Sequence, residues 1–323
     1  GFQIMLHTPI CDLIGITYPV FQGGMAWIAD GRLAAAVSNG GGLGIIAAGN
    51  ADGNYVREQI RVAKSLTDKP FGVNVPLMYP QIEEIMHLLV EEGVKVVFTS
   101  AGNPKLWTPF LKEHGVTVAH VVSSSRFARK CEEAGVDAVV AEGFEAGGHN
   151  GREETTTFCL IPAVRRATSL PLIAAGGVGT GRGLLAAMAL GAEGVQVGTR
   201  FALTQESSAH PDFKAYGLTL EEGDTKLLLK KLSPTRLVKG AFCQAVEEAE
   251  SRGASVEELR ELLGRGRAKK GIFEGDLKDG ELELGQVASL FRQSQTVAEV
   301  MREMVEEYDA ALAALKSSSL LDE

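Results

Sequence analysis

Apolar residues along the chain cluster into short runs that end in glycine or a polar residue, and a stretch with helical spacing follows each run. The eight runs are YPVFQGG (18–24), GLGIIAAG (42–49), PFGVNVP (70–76), VKVVFTSAG (94–102), VTVAHVVSS (116–124), VDAVVAEG (136–143), LPLIAAGG (170–177) and EGVQVGTRF (193–201). Strands that are buried on both faces have continuous apolar sequences of this kind. The pattern predicts parallel strands that alternate with helices.

The segments between the runs carry helix signals. YPQIEEIMHLLVEEG, for example, has Pro80 near its start and Gly93 just after its end. Eight strand–helix units within roughly 200 residues predict a closed (β/α)8 TIM barrel, a compact one for its class. An open doubly wound sheet is the alternative. The barrel is favoured because the eighth unit comes where closure requires it.

The alternation stops after Phe201, so we predict three regions. They are a barrel core over 5–203, an inserted α-rich subdomain over 204–290, and a C-terminal helix and tail over 291–323 that pack on the barrel. The insertion contains KLLLKKLSPTRLVKG (226–240), in which Lys226, Lys230, Lys231, Arg236 and Lys239 occur without an acid, and RGRAKKG (265–271). These stretches are either the solvated faces of helices or a basic patch for an acidic partner or a nucleotide phosphate.

Composition narrows the function classes. The net charge of -9 and the pI of about 5.3 argue against a nucleic-acid-binding protein. No apolar run is long enough to span a bilayer and no signal peptide is visible, so we expect a cytoplasmic protein without a membrane partner. The 4 cysteines show no CxxC spacing and are expected to be reduced. Cys159 is interpreted as a bystander thiol, with a nucleophile as the alternative.

In a TIM barrel the active site lies at the carboxyl ends of the strands. The residues found there are Gln22, Gly23, Gly24 and Met25 after strand one, Asn74 in strand three, Ser100, Ala101 and Gly102 after strand four, Glu142 after strand six, Gly176 and Gly177 after strand seven, and Gly198 and Thr199 after strand eight. The glycines after the last two strands lie where this fold binds phosphate through bare backbone N–H groups. Tight turns that need a positive φ are the alternative reason for them.

Several chemistries can be set aside. The chain has no HxH or HExxH motif, which argues against a hydrolytic zinc site, and no lysine at a strand end, which argues against a Schiff base. Among phosphate-bearing cofactors, FMN is therefore favoured over PLP. His149, in AEGFEAGGHNG (141–151), follows strand six and would lie at the top of the barrel, where it could donate a proton near pH 7. A loop histidine bonded to the backbone is the alternative.

The motifs PVFQGGMAW, PFGVNV, AEGFEAGGHNG, IAAGGV and GVQVGTRF, taken in order, resemble the nitronate monooxygenase-like family of FMN barrels. The resemblance runs from about Pro9 to about Leu312. ESSAHPDF (206–213) and GDLKDGELELGQVASL (275–290) are similar to the flavin-dependent enoyl-[acyl-carrier-protein] reductase branch rather than to the monooxygenases. Two departures are Ser123, where many members have proline, and a longer REETTT stretch after His149; both could change the shape of the substrate pocket.

The resemblance implies FMN at the barrel mouth and assigns residues to it. Gly23, Gly24, Met25, Ala26, Asn74, Ser100 and Ala101 would line the ring and ribityl chain, Glu142 would bond to the side of the flavin, and Gly147, Gly148, Gly176, Gly177, Gly198 and Thr199 would hold the phosphate. His149 matches the catalytic histidine of the family. It would bind the thioester carbonyl or supply the proton that completes reduction of the enoyl chain.

The resemblance also implies NADH or NADPH as co-substrate, acyl carrier protein as the partner that carries the substrate, a homodimer, and possibly a monovalent cation. Two other functions use the same flavin motifs. A nitronate monooxygenase would oxidise alkyl nitronates with FMN and O2, and it is disfavoured by the segment 275–290. A non-enzymatic FMN-binding protein is disfavoured by His149.

Overall fold

The computed structural model describes residues 6–318; Met5 and residues 319–323, at the ends of the predicted regions, lie outside it. The strands are β1 Val20–Gln22, β2 Gly44–Ala47, β3 Phe71–Pro76, β4 Val96–Ser100, β5 Thr117–Val122, β6 Ala138–Glu142, β7 Gly148–His149, β8 Leu172–Ala175, β9 Gly194–Val197, β10 Thr225–Leu228 and β11 Thr235–Val238.

The α-helices are α1 Pro9–Ile14, α2 Gly31–Asn39, α3 Gly53–Leu66, α4 Ile82–Glu91, α5 Thr108–Glu113, α6 Ser125–Ala134, α7 Thr157–Ala167, α8 Gly181–Leu190, α9 Thr199–Ala202, α10 Pro211–Gly217, α11 Ala241–Ser251, α12 Val256–Leu263 and α13 Val297–Lys316. A π-helical turn covers Lys269–Phe273 and a 3-10 helix covers Gln286–Leu290. None of the helices within residues 6–318 has the length and apolar character needed to cross a membrane.

Eight parallel strands form the main sheet in the order β1-β9-β8-β6-β5-β4-β3-β2. A bridge between Phe21 and Leu43 joins the two ends, with the Leu43 amide donating to the Val20 carbonyl at 2.9 Å. The sheet thus closes into the predicted (β/α)8 barrel, and the alternative of an open doubly wound sheet is wrong. Each of the eight apolar runs contains one strand of this barrel, because its side chains are covered on both faces.

The barrel interior is packed with side chains. One cluster of buried residues contains Phe21, Phe98, Val140 and Ile173 from four different strands. Helix α1 adds Ile10 to the same cluster, although it precedes the first strand. The interior is therefore a solid core rather than a pore, as is usual for this fold, and any ligand must bind at the mouth.

Capping residues define where the barrel helices begin. The Asp30 side chain accepts from the Leu33 amide at 2.9 Å at the start of α2, and the Thr180 side chain accepts from the Gly183 amide at 3.0 Å at the start of α8. Gly135 ends α6 in the left-handed conformation with φ 87°. Each barrel strand therefore ends directly before a loop or the N-terminus of a helix.

The inserted region contains a β-hairpin that the sequence interpretation missed. Residues 226–240 were expected to lie on helix faces or in a basic patch, but the structure places them in β10 and β11, paired antiparallel from Thr225–Val238 to Leu228–Thr235. The hairpin packs against α11, since Leu237 of β11 and Val246 of α11 share a separate buried cluster. Strand β11 pairs on its other side with β7, so the sheet order is β10-β11-β7.

Helix α13 lies against α8 and α2 on the outside of the barrel. Gly181 allows the close approach, because a Cβ there would lie 2.2 Å from the Met304 carbonyl oxygen. Arg200 is 5% exposed and pairs with Glu303 at 2.6 Å and Glu307 at 3.1 Å. This buried guanidinium fixes the helix to the end of the last barrel strand.

Candidate active site at the barrel mouth

Three polar side chains face the interior at the carboxyl ends of the strands. In the register of the sheet, Glu142 of β6 lies beside Ala175, and Ala175 lies beside Gln196 of β9. Neighbouring residues across a sheet point to the same face, and Ala175 belongs to the interior cluster. Asn74 of β3 faces inward by the same argument, since its partner Phe98 is in that cluster. Gln196 was not predicted, although a lone polar residue within GVQVG was a usable signal.

Glu142 is a carboxyl group at this mouth whose acidity is strongly altered. Burial raises its pKa from the usual value of 4.5 to about 7. At neutral pH a large fraction of this carboxyl is therefore protonated and can donate a hydrogen bond. A carboxyl group that can donate is suited to a polar ligand with acceptor atoms.

The segment after β1 lies close to β3 and to the loop after β9. A Cβ on Gly24 would lie 2.3 Å from the Asn74 Cβ, and a Cβ on Gly23 would lie 3.6 Å from the Gly198 Cα. The Met25 sulfur is the nearest atom to a Cβ on Gly198, at 3.5 Å. Ala26 follows in the same turn and is half-buried. The structure thus brings these predicted cofactor residues together.

Positive φ angles mark the loop after β8, with Gly176 at 96° and Gly177 at 73°. A Cβ on Gly176 would lie 2.8 Å from the Gly143 carbonyl oxygen, so glycine is needed here for packing as well as for conformation. The Glu145 carboxylate lies against Gly177 and accepts from the Thr157 amide at 2.9 Å, at the start of α7. A carboxylate already occupies this helix N-terminus.

Gly147 and Gly148 face the protein's own chain. A Cβ on Gly147 would lie 2.4 Å from the Leu284 carbonyl carbon, and one on Gly148 would lie 2.5 Å from a Glu283 carboxylate oxygen. The Gly285 amide donates to the Thr199 hydroxyl oxygen at 2.8 Å, which connects this segment to the loop after β9. Packing against 283–285 therefore explains both glycines, and their predicted role at a phosphate remains a prediction.

Ser100 and Ala101 end β4 at the same face of the barrel. The Ser100 carbonyl accepts from the Leu77 amide at 2.7 Å, and its side chain is half-buried. Ala101 is exposed and has a positive φ of 49°. Such a conformation is uncommon for alanine and is found where a loop is held by its surroundings.

His149 lies in β7, is exposed, and is held by the inserted hairpin. It pairs with Thr235 of β11, and its Nδ1 lies 3.3 Å from the Ser233 Oγ and 3.5 Å from the Thr235 Oγ1. The backbone N–H of Asn150 donates to the Pro234 carbonyl at 2.8 Å. The Arg152 guanidinium donates to two carbonyls of the hairpin at 2.9 Å each. The loop after β6 is thus an ordered strand, fixed by residues that lie far away in sequence.

Arg236 is the largest fully buried side chain, with 1% exposure. Its guanidinium lies 4.5 Å from the centroid of the Phe144 ring and donates to the Phe144 carbonyl at 2.7 Å. The interpretation of Arg236 as part of a basic surface patch is therefore wrong. This arginine instead joins β11 to the loop that carries His149.

The lysines of the same stretch are largely matched by acids of this chain. Lys226 pairs with Glu247 at 2.7 Å, Lys230 with Glu154 at 3.1 Å, and Lys239 with Asp224 at 3.9 Å. Lys231 donates to the Ala254 carbonyl at 2.7 Å. The sequence run contains no acid, but the fold supplies acids from elsewhere, so the run does not form an unopposed positive surface.

Two carboxyl groups beside the His149 loop were not singled out from sequence. Glu281 is 8% exposed, and Glu283 lies over Gly148. Burial raises the pKa of both, and the adjacent Glu283 raises that of Glu281 further, while His149 and Arg267 act in the opposite direction. Alternating polar and apolar residues in GELELG indicated an extended segment, but not what its acidic face contacts.

His120 and His210 each make a hydrogen bond with a structural role. His120 is buried, bonds through Nδ1 to the Thr99 hydroxyl at 2.6 Å, and has a pKa lowered to about 4 by burial. His210 caps α10 by accepting from the Asp212 amide at 3.0 Å. Cys159 is a free, exposed thiol on α7. Within residues 6–318 no cluster of three or more His, Cys, Asp or Glu side chains could hold a metal ion.

Comparison with known proteins places this chain in a family. The family model for nitronate monooxygenase matches residues 7–307, and the chain therefore belongs to the nitronate monooxygenase family of oxidoreductase enzymes. Within it, the chain is similar to the solved structure of FabK from Thermotoga maritima, with 40% identity, a TM-score of 0.91, and coverage of 96% of this chain and 98% of that one. A nitroalkane oxidase from Streptomyces ansochromogenes has 26% identity, a TM-score of 0.81, and coverage of 95% and 99%.

Two groups of curated relatives differ in their described activities. A (3aS,4S,5R,7aS)-5-hydroxy-7a-methyl-1-oxo-octahydro-1H-indene-4-carboxyl-CoA dehydrogenase from Rhodococcus jostii is 42% identical over 64% of this chain, and the match spans only 58% of that relative's length. A probable nitronate monooxygenase from Staphylococcus saprophyticus is 34% identical over 75% of this chain and 81% of its own length.

Proposed function

We propose that the chain is an FMN-dependent reductase that converts a trans-2-enoyl thioester on acyl carrier protein into the saturated acyl thioester with NADH or NADPH. This reaction is the last step of the fatty-acid elongation cycle. The observation that carries the proposal is the 40% identity with FabK over 96% of the chain. The nitroalkane oxidase has lower identity, 26%, over a similar share.

The side chains at the barrel mouth fit FMN. Asn74 and Gln196 offer amide donors and acceptors, the Glu142 carboxyl can donate because its pKa is raised to about 7, and the turn after β8 carries no side chain at Gly176 and Gly177. The residues proposed to hold FMN are Gly23, Gly24, Met25, Ala26, Asn74, Ser100, Ala101 and Glu142 for the ring and ribityl chain, and Gly147, Gly148, Gly176, Gly177, Gly198 and Thr199 for the phosphate. When bound, FMN supplies hydride transfer between a nicotinamide and the β-carbon of the enoyl thioester.

His149 would supply the proton for the α-carbon, or donate a hydrogen bond to the thioester carbonyl as negative charge develops there. Its exposed position leaves the ring accessible to a substrate, while β11 holds the backbone beside it. Lysines of residues 226–240 already pair with acids of this chain, so this stretch no longer gives a reason to expect an acidic partner. Acyl carrier protein stays the proposed partner through the resemblance to the reductase branch. The homodimer and the monovalent cation stay predictions on the same ground.

Specific observations favour two further substrates. The family model and the staphylococcal relatives favour oxidation of alkyl nitronates with O2. The relative with 42% identity carries the name of a carboxyl-CoA dehydrogenase, which favours a coenzyme A thioester instead of a carrier-protein thioester.

A non-enzymatic flavin protein would bind FMN that NAD(P)H reduces slowly and that no thioester reoxidises.

The test compares four assays on the flavin-loaded protein. NADH and NADPH oxidation is followed without O2 in the presence of crotonyl-acyl carrier protein, crotonyl-CoA, or neither, and O2 uptake is followed with propyl nitronate alone. We expect turnover with the carrier-protein thioester to exceed turnover with the CoA thioester, and little uptake with the nitronate. Turnover with the nitronate only would refute the proposal. Faster turnover with crotonyl-CoA than with crotonyl-acyl carrier protein would support reduction of an enoyl thioester but contradict acyl carrier protein as the partner.

A further inference from the structure

The inserted hairpin contacts His149 at one nitrogen of its imidazole ring. Thr235 is the cross-strand partner of His149 and is 2% exposed. The hydroxyls of Thr235 and Ser233 are both directed at the same ring nitrogen, Nδ1, at 3.5 and 3.3 Å. The two ring nitrogens therefore have different surroundings, and the hydrogen bond made by one determines the proton on the other.

The hydrogen of the Thr235 hydroxyl is already engaged. This hydroxyl donates to the Ser233 carbonyl oxygen at 2.8 Å, within the turn that leads into β11. A hydroxyl group has one proton and two lone pairs, so toward His149 the Thr235 oxygen can only accept. An acceptor at Nδ1 favours the ring form with a proton on Nδ1. The Ser233 hydroxyl can adapt to that form, because its hydrogen is free to rotate away.

We propose that Thr235, assisted by Ser233, is a positioning residue that keeps a proton on Nδ1 of His149, so that Nε2 is the atom that exchanges the reaction's proton. In the neutral ring Nε2 accepts a proton from solvent, and in the cation it donates that proton to the substrate carbon, while the proton on Nδ1 stays in place. The catalytic half of this inference rests on the proposed function of His149.

The surrounding hydrogen bonds make such a role possible. The backbone N–H of Asn150 donates to the Pro234 carbonyl at 2.8 Å. Each of these residues is next in the chain to one member of the His149–Thr235 pair. Arg236, the next residue of β11, bonds to the Phe144 carbonyl at 2.7 Å. The backbone on both sides of the contact is thus fixed, and a single hydroxyl group can decide the state of the ring without moving the loop.

The experiment uses the flavin-loaded full chain labelled with 15N-histidine. His149 is assigned as the histidine whose signals disappear in His149→Gln, and its tautomer is read from the nitrogen shifts. Thr235→Val removes the hydroxyl and keeps the shape, and Thr235→Ser restores the hydroxyl as the matched control. We expect Nδ1–H in the wild type and in Thr235→Ser, and a shift toward Nε2–H in Thr235→Val.

Turnover adds a second readout. Thr235→Val should lower kcat for the enoyl thioester about tenfold with little change in KM, since one hydrogen bond to the acid is lost, and Thr235→Ser should restore most of it. An Nε2–H ring in the wild type, or an unchanged tautomer in Thr235→Val, would overturn the inference. Normal turnover in His149→Gln would instead overturn the proposed role of His149, and the nitrogen shifts would still decide the claim about Nδ1.

Discussion

The barrel and the inserted subdomain contribute to one site in different ways. Barrel residues Asn74, Glu142 and Gln196 reach the mouth from strands whose direction is set by the sheet itself. His149 reaches it from the loop after β6, which pairs with β11. In the proposed function, the barrel residues hold the cofactor, while His149, held by the hairpin, is the acid–base group. Each can therefore be weakened while the other is kept.

The largest effect is expected from removing the acid. His149→Ala should lower turnover of the enoyl thioester by roughly 10²-fold or more, because general acid catalysis is lost, while the visible flavin spectrum stays that of the wild type. Steady-state NAD(P)H oxidation measures the turnover, and visible absorbance measures the flavin spectrum. Cys159→Ala changes an exposed group on α7 and serves as the control with unchanged turnover. A wild-type rate in His149→Ala would contradict the assignment while leaving the barrel intact.

The next effect tests how the hairpin is fixed to the barrel. Arg236→Met should lower the free energy of unfolding by about 2 kcal/mol, because the buried Phe144 carbonyl loses its charged donor. Denaturation in urea measures the loss, and hydrogen exchange at residues 148–149 should accelerate.

Lys226→Met provides the matched comparison on the neighbouring strand. Its ion pair with Glu247 is exposed and screened by solvent, so a much smaller loss is expected. Equal losses in the two variants would show that Arg236 does not join the hairpin to the loop after β6.

A third prediction concerns the barrel alone. The pKa of Glu142 is raised in the folded state, so its contribution to stability is present at low pH and is lost as pH rises through about 7. In flavin-free protein, Glu142→Gln should therefore be more stable than the wild type by about 1 kcal/mol at pH 8.5, with little difference at pH 5. Urea denaturation at the two pH values measures this; a variant that is less stable at pH 8.5 would contradict the burial argument.

The smallest effect is expected at the carboxyl pair beside the His149 loop. Burial raises the pKa of Glu281 and Glu283, so ionisation of the second carboxyl opposes folding in alkaline solution. Glu283→Gln should raise the urea midpoint slightly at pH 9 and leave it unchanged at pH 5, because the amide can still bond to Glu281. A lower midpoint at pH 9 would show that the ionised pair stabilises the junction.

The barrel could be predicted well because each of its strands is encoded by a short run of neighbouring residues. Each barrel strand lies within a short, mostly apolar run, and the barrel topology then places the ends of those runs, Glu142 among them, at one face. Gln196 was missed although the same reasoning applies to it: it is the polar residue of β9, and its position in the register directs it inward.

The insertion could not be predicted in the same way because its decisive contacts are distant. His149 and Thr235 are 86 positions apart, and nothing in either segment identifies the other. Charges in 226–240 looked unopposed because their acids, such as Glu247, lie outside the run. Arg236 was grouped with surface lysines, since composition does not reveal that an arginine stacks on Phe144 in the interior.

The proposed function requires this site to pass hydride from NAD(P)H to an enoyl thioester. The most direct measurement is anaerobic mixing in two steps, followed by the visible absorbance of the flavin. NAD(P)H should bleach the oxidised band, and crotonyl-acyl carrier protein should restore it within the turnover time, while buffer or free carrier protein should not. Bleached flavin that the thioester leaves reduced, but that O2 reoxidises, would contradict the account.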